Sequence, residues 1–387
     1  MKRIYSIDFT RGVVMIIMAL DHVRDLMHVS STTQSPTDLA TTTPMLFFTR
    51  WITHLCAPTF VFLAGISVYL TLKKNNDISQ SRKFLLKRGL WLIVLEFTVV
   101  NVGLCFDPGF HNLLFEVIAA IGFGFVVLSL LLKLSSKTIG MIGLTIILLH
   151  DLVFLIPMGQ TSTIITVLTP FFAPTGFSLF SNHTFIMAYP PIPWLGILLA
   201  GFAAGKLFEL PADKRAGVFL KIGAGALLFF IIIRFINIYG DPEAWSGQKT
   251  MMYTFLSFMN VTKYPPSLLF CSVMLGLMFL ILAIGEKINN KTTDIAYVYG
   301  KVPLFYFVIH LYIIHTLMII LMFLQGFHWA DLNFSFGFFG RPKGVQSGLP
   351  LWGVYLVWIA VAAALYKPCV WFGKYKAEHK YWWLSYI

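Results

Sequence analysis

Ten apolar runs, each long enough to cross the roughly 30 Å hydrocarbon core of a bilayer, leave this chain little choice of solvent. They fall near 9–27, 48–72, 84–104, 112–132, 138–156, 185–206, 216–238, 267–285, 302–324 and 349–372, with Pro and Gly clusters punctuating the loops between them. Only 12% of the residues are charged against 57% hydrophobic, where a soluble chain of this length carries about 25% charged. Mean hydropathy is +0.77. Backbone polar groups in lipid must be satisfied within their own segment, so the expected fold class is all-α. One polytopic membrane-embedded domain over residues 1–387, with about ten transmembrane helices, follows. The stretch 163–180 is apolar but broken by Pro170, Pro174 and Gly176. It reads as re-entrant or interfacial, with an eleventh span as the alternative.

The charges test this map independently. With both termini on the cytoplasmic side, all but seven of the 29 Lys and Arg fall on that side, Lys2 among them. The seven exceptions are Arg24, Arg50, Arg234, Lys249, Lys263, Arg341 and Lys343. A bias that alternates loop after loop is the positive-inside pattern. The net charge of +12 therefore reports topology and excludes a nucleic-acid partner. The N-terminal MKR and its apolar run also fit a signal peptide. That run, however, carries Asp21 and His22, lacks a small-residue cleavage site and is followed by further spans. Cys56, Cys105, Cys271 and Cys369 show no metal-ligand spacing, so no metal is expected and apolar packing is their reading.

Function must come from polar residues that lipid would reject, each costing about 2.5–3.5 kcal/mol at the centre of a span. In the first span Asp21, Arg24, Asp25 and His28 share one helical stripe, and His22 leans toward it. His54 opens the second span. Glu96 lies in the third, Glu116 near the start of the fourth, His150 and Asp151 in the fifth, and Arg234 in the seventh. At about 1.5 Å rise per residue, Asp21 and His22 sit about 16 Å above the inner edge of their span. Glu96, His150 and Asp151 come out at about 18 Å in theirs, and the others near the outer ends. A shared depth implies a polar cavity facing the extracytoplasmic side. Ion pairs within the bundle or snorkelling to water are the alternative roles for Arg24, Asp25, Glu96, Glu116 and Arg234. His310 and His315 are five apart and do not share a face, which weakens a bis-imidazole haem reading.

The segments SIDFTRGVVMIIMALDHVRD and THLCAPTFVFLAGIS, followed in order by RGLWLIVLE, FEVIAAIGFGFVV, YPPIPWLGILLAGFAAGKLF, TKYPPSLLF and PLFYFVIHLYIIH, cover nearly the whole chain. Together they resemble the heparan-alpha-glucosaminide N-acetyltransferase catalytic family, most of all its bacterial branch of unknown function. The resemblance implies a membrane-embedded acyltransferase that takes acetyl-CoA from the cytoplasm and acetylates a sugar or glycan acceptor on the far side. In the lysosomal enzymes the acceptor is a terminal glucosamine, and a His shortly after the first span is catalytic. This chain departs there: His22, preceded by Asp21, stands where those enzymes carry Asn, and His28 alone matches their catalytic loop His. The catalytic His is thus open between His22 and His28.

Acyl transfer from a thioester needs a base near neutral pH, which His supplies and a carboxylate can orient. His22 is the expected general base, paired with Asp21 or Asp25. Arg24, His28, His54 and Arg234 are expected to bind the acceptor or the developing oxyanion, with Glu96, Glu116, His150, Asp151 and Lys263 completing the acceptor side. The anionic CoA nucleotide suits Arg11, Lys87, Arg88 and Lys301, whose alternative role is topology alone. A proton-coupled transporter of a sugar or cell-wall fragment is the runner-up function. A partner-binding membrane subunit would need no such polar layer. A bacterial inner membrane is the expected location, and a homodimer one open assembly.

Overall fold

The computed structural model describes residues 3–155, 163–180, 182–288 and 290–386; Lys2 and residue 156 of the fifth expected span lie outside them. Among the described residues fifteen α-helices follow one another along the chain. α1 is Tyr5–Met27, α2 Pro44–Thr53, α3 Cys56–Asn75 and α4 Ile78–Leu95. α4 continues through a π-helical turn, Glu96–Val100, into α5, Asn101–Cys105. α6 is Val117–Leu131, α7 Ser136–Leu149, α8 Thr163–Phe172, α9 Pro191–Ala204 and α10 Ala212–Ile236. α11 is Met251–Met259, α12 Leu268–Lys287, α13 Lys291–Gly300, α14 Pro303–Leu324 and α15 Leu351–Glu378.

Among the described residues, eight helical segments are long and apolar enough to cross a membrane, including α2–α3 (Pro44–Asn75), α4–α5 (Ile78–Cys105) and α14. The chain is an integral membrane protein. α1 and the 15-residue α6 occupy the positions of the two remaining expected spans. α1 can carry Asp8, Arg11, Asp21, Arg24 and Asp25 because it is the centre of the bundle. It packs against α2, α3, α12, α13, α14 and α15, and 16 of its 23 residues are buried. Glycine makes the tightest of these contacts feasible: a Cβ on Gly12 would stand 1.6 Å from the Ala296 carbonyl oxygen, and one on Gly300 1.7 Å from that of Asp8. The four cysteines are free and buried.

The stretch 163–180 divides into a short helix and a strand. α8 takes its first half; Pro174 and Gly176 end the helix, and the rest is a strand, β2 (Thr175–Phe180). β2 pairs antiparallel with β3 (His183–Met187), which pairs parallel with β1 (Asn112–Phe115) in the order β1-β3-β2. These strands also trim two expected spans, so that the fourth begins at Val117 and the sixth at Pro191. Apolar β-branched and aromatic residues in TGFSLF and HTFIM suit a strand as well as a helix, and hydropathy alone does not separate the two.

Candidate active site

The polar layer gathers where α1 meets α2 and α14. Asp21 is the hub. Its carboxylate accepts from Arg24 Nη2 at 2.7 Å, from Arg50 Nη1 at 2.7 and 2.9 Å, and from Thr53 Oγ1 at 2.6 Å. Arg24 stands one turn on along α1, while Arg50 and Thr53 stand one turn apart on α2. Arg24 also donates to Asp25 at 2.5 Å, and Asp25 keeps about half its side chain exposed. Both arginines are thereby neutralised in place, as buried guanidiniums must be. Arg24 is spent on these carboxylates rather than aimed at a ligand.

His22 turns the other way, toward α14. Its Nδ1 lies 2.7 Å from Nε2 of His310, the two rings stacked with centroids 4.8 Å apart. His310 is fully buried, and its Nδ1 faces the Tyr306 carbonyl at 3.0 Å. A carbonyl only accepts, so the neutral His310 carries its proton on Nδ1 and presents a lone pair at Nε2. His22 must then donate from Nδ1, which leaves the lone pair of its Nε2 available. No hydrogen bond engages that nitrogen among the described residues, and His22 is only half-buried. The carboxylates of Asp21 and Asp25 do not bond it. Sequence reading missed His310 as a site residue, since nothing local in FYFVIHLYIIH marks its partner.

Around this pair stand groups with donor capacity uncommitted among the described residues. His54, at the C-terminus of α2, is buried against Phe270 with Nδ1 unpartnered. Lys263 is buried with Nζ 4.9 Å from the Tyr264 ring centre and 6.0 Å from that of Tyr189. It lies within electrostatic reach of Asp21, His22, His54 and Glu116. Glu116 precedes α6 and is half-buried.

Other expected site residues are engaged elsewhere. Glu96 accepts from the Ala119 amide at 2.8 Å and so caps α6 from a neighbouring helix. Asp151 likewise accepts from the Leu268 amide at 2.9 Å at the start of α12, with His150 Nε2 3.2 Å from its other oxygen. Arg234 donates to four carbonyls, those of Phe258, Glu243, Ser257 and Asn260, at 2.7–3.0 Å, and pins the C-terminal turn of α11 and the loop before it to the end of α10. His28 caps α1; its Nδ1 meets the Ser30 hydroxyl at 3.0 Å and its carbonyl accepts from Arg341. Burial, with the Arg24 and Arg341 guanidiniums nearby, holds the His28 imidazole below its ordinary 6.5. An imidazole that stays neutral when folded but takes a proton when unfolded costs stability as pH falls below 6.5, levelling off below the folded value. His28→Gln should flatten that acid slope, read as the difference in thermal midpoint between the two proteins across the acid side of neutrality.

Beneath the histidine pair, a cavity of about 290 Å³ opens at the end of the bundle that carries Arg3 and Lys376. Its mouth is basic, with Arg3, Arg11, Arg88, Lys301 and Lys376, and its deeper wall apolar, with Met15, Leu92, Ile121, Phe125 and Phe307. Arg11 is held by Ser67 and Asp8, and Arg88 lies over the Phe125 ring with Nε unpartnered among the described residues. Lys87 projects from α4 to the exposed surface and does not line the cavity.

Comparison with known proteins adds one finding. The family described as heparan-alpha-glucosaminide N-acetyltransferase, catalytic, matches residues 3–236, more than half of the chain, from α1 to the end of α10. No curated protein matches.

Proposed function

The chain belongs to the heparan-alpha-glucosaminide N-acetyltransferase catalytic family and is a membrane acyltransferase; from that premise we propose that it moves an acetyl group from acetyl-CoA, held in the basic cavity, to a sugar or glycan acceptor at the opposite end of the bundle. The observation that carries the reading is the hydrogen-bond chain from His22 through His310 to the Tyr306 carbonyl, which leaves one bare imidazole nitrogen above a cavity suited to CoA.

The guanidinium and ammonium groups at the mouth match the nucleotide phosphates, and the apolar wall matches the pantetheine arm. His22 Nε2 takes the proton from the acceptor's amine or hydroxyl as that atom attacks the thioester carbonyl. The resulting imidazolium is stabilised through Nδ1–H donated to His310. Collapse of the tetrahedral intermediate breaks the carbon–sulfur bond; the thiolate leaves, taking the proton from His22, and the acetylated acceptor departs. His54 and Lys263 are the donors for the oxyanion. The donor enters from the cytoplasm and the acceptor site faces out, in keeping with the positive-inside bias, and likeness to the bacterial branch favours an inner membrane. Family membership favours the enzyme over the transporter.

Calorimetry of acetyl-CoA with detergent-purified protein tests the donor site. Arg11→Ala and Arg88→Ala should each weaken binding roughly tenfold, about 1.4 kcal/mol, whereas Lys87→Ala should leave it unchanged. Folded wild-type protein that binds neither acetyl-CoA nor CoA would overturn the reading.

A further inference from the structure

The cavity stops about one helical turn short of the histidine pair, and the residue at its end is Phe307. That side chain lines the cavity wall and is 7% exposed. Its ring meets His22 edge-on, centroids 6.3 Å apart, and stands 5.7 Å from the ring of His310. On α14 it precedes His310 by three residues, a rise of about 4.5 Å. On α1 the last lining residue is Met15, seven residues and about 10 Å before His22. Val117 and Ile118, at the start of α6, close the same level from the far side. A thioester carbonyl within reach of His22 must therefore lie beside the Phe307 ring, and the ring stands where an acyl chain running on from that carbonyl would extend.

We propose that Phe307 determines acyl-chain length, its ring forming the end wall of a chamber that accepts a short acyl group and refuses a longer one. This rests on the reading of the cavity as the acyl-CoA site. Discrimination of this kind has a known scale, since one methylene too many or too few in a close-fitting apolar pocket changes selectivity roughly 10- to 200-fold. The ring both lines the cavity and lies against the two imidazoles. Removing it opens a dry apolar space that a longer chain can fill.

Calorimetric titration of the full chain with CoA, acetyl-CoA, butyryl-CoA and hexanoyl-CoA reads this without knowledge of the acceptor. Wild-type protein should bind hexanoyl-CoA at least about tenfold more weakly than acetyl-CoA. Phe307→Leu should narrow that gap and Phe307→Ala should erase or reverse it, each acyl-CoA affinity being read as a ratio to the same variant's affinity for free CoA. Free-CoA binding doubles as the check that each variant is folded, and Phe307→Leu decides if the alanine variant is not. A Phe307 variant that binds CoA normally and keeps the wild-type length profile overturns the inference, as does wild-type protein indifferent to chain length. Wild-type protein that binds no CoA at all overturns the donor site instead.

Discussion

His22→Ala is expected to lower acyl transfer by roughly a hundred- to ten-thousand-fold while leaving acetyl-CoA affinity and folding intact, because it removes the general base and little else. The side chain is half-buried, so its loss leaves no sealed void, and its one hydrogen bond goes to a neutral partner. His310→Ala should act through His22: with no acceptor at Nε2 of residue 310, His22 is free to place its proton on Nε2, the wrong nitrogen for a base. Its expected loss is smaller, in turnover rather than in donor affinity, and His310→Gln should restore part of it, since a carboxamide oxygen also accepts from Nδ1–H. Transfer of labelled acetyl groups to a panel of amino sugars and glycans measures all three. His28→Ala is the comparison that separates the two candidate bases, because His28 caps α1 and bonds Ser30 rather than the histidine pair. A His22→Ala protein with near wild-type turnover beside an inactive His28→Ala protein would reverse the assignment.

The polar layer was legible in the sequence because charge in an apolar span needs a reason, and helical rise converts residue number into depth. What the sequence could not show is which way each group faces. Asp21 and His22 are neighbours in the chain, which suggests a carboxylate–imidazole pair, yet adjacent residues on a helix do not face one another. Asp21 points at α2 and His22 at α14. The true partner, His310, lies 288 residues away in a run whose hydropathy matches any lipid-facing helix. Arg234 illustrates the converse. A buried guanidinium looks like a ligand site until carbonyls 9 to 26 residues further on, in and around α11, are seen to satisfy it. Glu96 and Asp151 carry the same ambiguity, since a carboxylate that caps a neighbouring helix has the same sequence signature as one that binds substrate. The basic mouth of the cavity was legible for Arg11, Arg88 and Lys301 but not for Lys87, which sits one position away from Arg88 on α4 and so on another face.

Asp21→Asn is expected to destabilise the protein by about 3–5 kcal/mol, the scale for removing one partner of a buried ion pair, and to do so with almost no change in shape. Arg24 is 1% exposed and the Arg50 side chain 13%, and both converge on this carboxylate. Without its charge two guanidiniums face each other across a buried site, with Asp25, itself half in water, the one carboxylate paired with them among the described residues. The Thr53 hydroxyl would keep a carbonyl to bond, so the charge and not the hydrogen bond is what the substitution removes. The thermal midpoint of the purified protein and its monodispersity measure the effect. Removing one of the opposed cations as well should recover part of the loss, so Asp21→Asn with Arg50→Gln should be more stable than Asp21→Asn alone, by a coupling of about 0.5–3 kcal/mol. A catalytic role for Asp21 makes the opposite demand. If its carboxylate oriented His22, the asparagine variant would keep its midpoint and lose turnover, and the second substitution would recover nothing. The geometry of three donors making four hydrogen bonds to one buried carboxylate, none of them an imidazole, makes Asp21 the support on which α1 and α2 are fixed, and so the reason His22 is free to face the other way.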